Sequence, residues 1–166
     1  MTPHTFRGLA TLATGIALVG AAIVALGWML WGARRAGDRG PYMSDVCRNH
    51  VIQVAAGLLM YADDYDDALP RSSWTDEVGR YLPSAHPQCP SVPAGRVGYA
   101  MEQALRGARV ESVGHPEASQ LVFDSKALGR NVVGSLELLP DPPRHPGGNN
   151  VAYLDLHVAR VPRRSR

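Results

Sequence analysis

CRNHVIQVAAGLLMYADDY, residues 47–65, is the stretch on which the fold turns. Val51, Val54, Ala55, Leu58, Ala62 and Tyr65 recur at spacings of three and four and share one stripe of a 3.6-residue helix, while Asn49, Gln53 and Asp64 fall largely off it. Ser44 or Asp45 can cap its start. A helix apolar along one stripe has to be covered by the rest of the chain. The pattern runs out in Asp63-Asp64-Tyr65-Asp66-Asp67 and stops before Pro70, because a residue preceding proline is pushed out of the helical region. A second, shorter helix is predicted from Ser73, with Asp76 in the capping-box position, through Trp74, Val78, Tyr81 and Leu82 to Pro83. Residues 84–98 hold Pro87, Pro90 and Pro93 and read as loop.

Downstream the period changes. Gln120-Leu121-Val122-Phe123-Asp124 is a compact apolar strand, Val132 to Leu139 reads as another, and Val151 to Leu154 with His157 to Val161 reads as a hairpin around Asp155-Leu156. Pro146-Gly147-Gly148-Asn149-Asn150 is a turn cluster leading into it. Helices first and strands after predict an α+β domain, with an antiparallel sheet wrapping the long helix.

Upstream, residues 8–33 carry no formal charge over 26 positions. At 1.5 Å per residue such a helix reaches ~39 Å, more than the ~30 Å hydrocarbon core of a bilayer. The expectation is a single-pass transmembrane anchor over 1–33, in contact with membrane lipid, with Trp28, Trp31, Arg34 and Arg35 at the interface. Ala13, Ala17, Ala21 and Ala25 recur every four residues, the spacing that lets two such helices approach. A hinge over 34–43 follows from Gly37, Gly40 and Pro41, then one domain over 44–162 and a basic tail over 163–166. Arg34, Arg35 and Arg39 after the span, against Arg7 before it, favour a cytoplasmic domain. The cysteines favour the opposite side of a cytoplasmic membrane.

Cys47 and Cys89 are the only two cysteines, and neither sits in a Cys-x-x-Cys or His-linked spacing. A bridge between them would close a loop of about 40 residues, adding on the order of 4 kcal/mol in an oxidising compartment. Two unrelated buried thiols is the alternative. From Tyr42 onward the chain has 13 Lys plus Arg against 14 Asp plus Glu, a net −1. That balance lacks the broad basic footprint of a nucleic-acid binder.

The series Cys47-x-Asn49, Tyr61-Ala62-x-Asp64, Leu69-Pro70, Trp74, Tyr81-Leu82-Pro83, Cys89-Pro90, Tyr99-Ala100-Met101, Leu121-Val122-Phe123-Asp124, Arg144-His145 and Asn150-Val151-Ala152-Tyr153-Leu154-Asp155 resembles the bacterial pseudopilin-like proteins, whose C-terminal signature is His, nine residues, Asp-Gly. The resemblance spans residues 47–161. It implies a pilin-like head displayed outside the cytoplasmic membrane, related to type II secretion and type IV pilus subunits, with such subunits as partners and with no enzymatic activity. Phe6-Arg7-Gly8-Leu9 stands where a prepilin has Gly before Phe-Thr-Leu-x-Glu. Asp155-Leu156 replaces Asp-Gly, which predicts a longer or differently wound turn, since positive φ is costly for Leu.

Two clusters carry chemistry. Asp63, Asp64, Asp66 and Asp67 bring hard oxygen donors of the kind Ca²⁺ selects to a helix end, although the EF-hand glycine and distal glutamate are absent and a solvated acidic end is the plainer reading. His145 and Asp155, with His157, could ligate zinc or act as a general base with its orienting acid, which gives the rival reading of a membrane-tethered hydrolase or sugar-binding protein. A structural hydrogen bond between the His145 segment and the turn accounts for the pair without a substrate. Serine nucleophile elbows, phosphate-cradling glycine loops and His-Glu-x-x-His patterns are absent.

Overall fold

The structure, a computed structural model, describes the backbone of residues 4–83 and 88–162 and, within the first helix, the side chains of residues 20–29 and 42–64. Helix α1 is His4–Asp64, and the chain divides into two compact units, Met1–Arg39 and Gly40–Arg166.

In the first unit the described side chains, 20–29, are all exposed, with Trp28 at 73 % and Met29 at 77 %. Among the described residues no helix is long and apolar enough to cross a membrane. This overturns the transmembrane helix in the expected fold class and the single-pass location in a cytoplasmic membrane. Trp31, Arg34, Arg35 and the rest of the expected hinge up to 41 have side chains outside the described residues, as does the tail 163–166.

The second unit is α+β. Cys47, Val51, Val54, Ala55, Leu58 and Ala62 are buried along one stripe of α1. Five strands face it: β1 Tyr99–Glu102, β2 Gln120–Asp124, β3 Val133–Gly134, β4 Asn149–Tyr153 and β5 Val158–Val161, in the order β3-β1-β2-β4-β5. The sheet is mixed: β1 and β3 run parallel, and the other pairs are antiparallel. Tyr99, Met101, Val122 and Ala152 join the α1 stripe in the main core, whereas Ala100, Phe123 and Val151 pack on the opposite face under Val132, Leu136, Leu138 and Leu139. Covering both faces is why the central strands read as continuous apolar runs.

Three elements depart from the sequence reading. The second helix is shorter than expected: α2 is Trp74–Val78, followed by a 3₁₀ turn at Gly79–Tyr81. Its register is fixed by the buried Trp74, whose indole N–H donates to the Val132 carbonyl at 2.8 Å. The strand expected over Val132 to Leu139 is only β3, because Ser135 starts a 3₁₀ turn over Leu136–Leu138 that folds Leu138 back against Gly134. Strand β1 carried no alternation, being buried on both faces.

The β4–β5 hairpin turns through Leu154, Asp155 and Leu156. The Leu156 N–H donates to the Tyr153 carbonyl at 3.0 Å, the Tyr153 N–H donates to the His157 carbonyl at 3.0 Å, and Leu156 has φ 70°. This is a three-residue loop closed by a left-handed residue, the position where glycine is ordinary. A non-glycine residue in that region costs about 1–2 kcal/mol. Replacing Leu156 with Gly relieves it at the expense of some unfolded-state entropy, so Leu156→Gly is expected to stabilise the chain by about 0.5–1 kcal/mol, read as a melting temperature higher by about 2–5 °C. At Gly148, with φ 132°, a Cβ would stand 2.5 Å from the Val161 carbonyl oxygen. The obstacle is backbone, so Gly148→Ala is expected to cost more than about 2 kcal/mol in urea unfolding.

Candidate functional site

The polar groups converge at one end of the sheet, on the face turned to α1. Tyr99 and Asp124 are register partners on β1 and β2. Asn150, on β4, is buried beside them. Asp124 is wholly buried: its Oδ2 accepts from the Asn150 backbone N–H at 2.7 Å and from Asn150 Nδ2 at 3.1 Å. Its Oδ1 has no hydrogen bond, although Arg144 Nη1 lies 3.6 Å away as an ion pair. Arg144 donates from Nη1 to the Gly98 carbonyl at 2.9 Å and from Nη2 to the Ser125 carbonyl. The guanidinium thus bridges the end of β2 and the start of β1. Asn149 holds the approach, accepting from the Arg144 N–H at 3.2 Å and donating to the Pro140 carbonyl at 2.9 Å.

His145 is 4 % exposed, and its Nε2 faces Asp124 Oδ2 at 3.5 Å and Cys89 Sγ at 3.7 Å. The Cys47–Cys89 disulfide is present, with Cα atoms 5.2 Å apart and both residues fully buried. It ties the start of the buried α1 stripe to the loop before β1. That junction is reinforced by a His50 Nδ1 contact with the Gln88 carbonyl at 2.8 Å and by the Tyr99 hydroxyl, which donates to the Cys47 carbonyl at 3.4 Å. Burial raises the Tyr99 pKa, and the neighbouring Asp124 charge adds to it against Arg144. Burial lowers that of Arg144, opposed by Asp124.

His145 and Asp155 therefore serve different ends. Asp155 is in the exposed hairpin turn, where its Oδ1 meets His157 Nδ1 at 2.6 Å and accepts from the His157 N–H at 3.1 Å. The side-chain hydrogen bond with His157 is the main reason the Asp155 pKa is lowered. The His157 ring stacks on Tyr153 with centroids 4.2 Å apart.

Two of the four aspartates, Asp64 and Asp67, have side-chain partners within the fold. Asp66 and Asp67 take φ of 53° and 62° and end α1, with the Asp67 N–H donating to the Ala62 carbonyl at 2.9 Å. Aspartate tolerates this region better than most residues. Asp67 Oδ2 accepts from the Glu111 N–H at 2.8 Å, and Asp64 Oδ2 accepts from the Tyr81 hydroxyl at 2.6 Å. Asp63 is exposed. Among the described residues, the group of His, Cys, Asp or Glu whose ligating atoms converge is Cys47, Cys89 and His145, all within 4.8 Å of one another. It contains none of the four acids. An open depression of about 440 Å³, lined in part by Glu102, Gln120, Ser135 and Glu137, lies on the same unit and shares no residue with the buried network.

Asp124, Arg144 and Asn150 are the residues that the site reading missed. Their one signal is an acid ending an otherwise apolar run, Leu121-Val122-Phe123-Asp124. Comparison with protein families, with curated proteins and with solved structures finds no match for this chain.

The Asp64–Tyr81 pair gives a pH prediction. The hydrogen bond to Asp64 is the chief cause that pushes the Tyr81 pKa up to about 12 from 10.0. A raised folded-state value stabilises the fold fully below the unfolded pKa near 10 and loses that contribution as pH rises through about 12. Ultraviolet titration of tyrosinate should show a late-ionising group that disappears in Tyr81→Phe and moves back towards 10 in Asp64→Asn.

Proposed function

We propose that this chain works by contact rather than turnover, as a pseudopilin-like structural or interaction protein whose partners are pilin-like or secretion-system subunits. One observation carries the reading: the two residues of the His-nine-Asp signature are used inside the fold, His145 against Asp124 and the disulfide, Asp155 to close the β4–β5 turn on His157. The order and spacing of the motifs over residues 47–161 support it as well. A hydrolase or sugar-binding protein using His145 and Asp155 would need both on one substrate, and a histidine only 4 % exposed is poorly placed for that.

A panel of ester, phosphate, peptide and glycoside substrates tests it. The purified chain is expected to give no turnover above that of heat-denatured protein. Turnover that vanishes in both His145→Ala and Asp155→Asn, with circular dichroism unchanged, would contradict the reading and establish the hydrolase.

A further inference from the structure

We propose that Cys47, Cys89 and His145 form a redox-gated site for a soft divalent cation such as Zn²⁺, closed while the disulfide stands and opened when a dithiol reduces it. The three residues come from α1, the loop before β1 and the segment before β4, so no local spacing announces them. The fold brings their ligating atoms within 4.8 Å of one another.

Geometry and charge both suit a metal. With metal–sulfur bonds of ~2.3 Å and metal–nitrogen bonds of ~2.1 Å, tetrahedral ligands stand ~3.5–3.8 Å apart. Cys89 Sγ and His145 Nε2 are already 3.7 Å apart. The adjustments left are for the two sulfurs to separate to a similar distance once their bond is cut and for Cys47 Sγ, within 4.8 Å of His145 Nε2, to settle at that spacing as well. Two thiolates and a neutral imidazole around a dication give a centre with no net charge, which limits the penalty of burying it. Beside it the wholly buried Asp124 turns Oδ2 to His145 Nε2 at 3.5 Å, while its Oδ1 pairs with Arg144 Nη1 at 3.6 Å. His145 Nε2 itself has only long contacts, 3.5 Å to Asp124 and 3.7 Å to Cys89, and no short acceptor.

The chemistry balances in two steps. A dithiol attacks the disulfide through its thiolate, ending as a cyclic disulfide while Cys47 and Cys89 receive the two electrons and two protons as thiols. Binding Zn²⁺ then releases those two protons to solvent and forms two metal–sulfur bonds and one bond to His145 Nε2, the ion keeping one of its own waters as the fourth ligand. Pro90 and Ser91 beside Cys89 are exposed while both cysteines are fully buried, so reduction requires the segment around Cys89 to open.

The test uses the full chain, reduced with a phosphine, freed of reductant without oxygen and titrated with Co²⁺ as a spectroscopic substitute for Zn²⁺. The reduced chain is expected to bind one equivalent with thiolate-to-cobalt charge transfer and the intense visible bands of tetrahedral coordination, and the oxidised chain to show neither. His145→Ala, and independently His145→Gln, should weaken binding at least about tenfold. Circular dichroism follows folding throughout, and if reduction loosens the chain, Zn²⁺ should restore its melting temperature. Absence of the bands in the reduced chain, equal affinity in both histidine variants, or a reduced chain that Zn²⁺ neither binds nor stabilises would overturn the proposal.

Discussion

The carboxylate of Asp124 is the constraint around which the second unit is built. A charge with no solvent exposure has to be matched inside the protein or it destabilises the fold by several kcal/mol. Matching it requires Arg144 and Asn150 to arrive from the segment and strand after it in sequence, and Arg144 in turn requires the carbonyls of Gly98 and Ser125. One buried charge thereby fixes the register of β1, β2 and β4 at their α1-facing end. A slip of one residue in β2 would turn Asp124 to the opposite face, among Phe123's neighbours, and leave Arg144 without its counter-charge.

The disulfide complements this network and does not replace it. The network joins strand to strand, whereas the bridge joins the sheet side to α1, closing a separation of 42 residues for about 4 kcal/mol by chain entropy. The side chains of Val51, Val54 and Leu58 then fill the space between helix and sheet. Ion pairs at the surface, such as Arg109 with Glu111, add little by comparison. Arg130 with Asp76 is partly exposed as well, although Asn131 ties the same corner more firmly through Thr75 and Asp76.

The sequence made some of this legible and concealed the rest for physical reasons. The stripe from Val51 to Ala62 declared itself because one face meets the core and the other meets water. The β4–β5 hairpin was legible through its turn residues, and its loop is longer than two residues as expected, yet Leu156 adopts the positive φ that the cost to a leucine side chain argued against. A bridge between the two cysteines was readable as one of two options. Strand β1 was hidden because burial on both faces erases its period. The Asp124 cluster was hidden because its members lie 20 and 26 residues apart and meet only through strand pairing. The uncharged, aliphatic run at the start with its closing tryptophans points to a membrane crossing, yet among the described residues no helix is long and apolar enough for one.

Urea unfolding of the full chain carrying Asp124→Ala, compared with the unaltered chain, measures the dependence directly. With the carboxylate removed, Arg144 stays buried without its counter-charge and Asn150 loses its acceptor, so stability is predicted to fall by about 3–5 kcal/mol. A loss below about 1 kcal/mol would contradict it, because the sheet would then be held by its apolar packing alone.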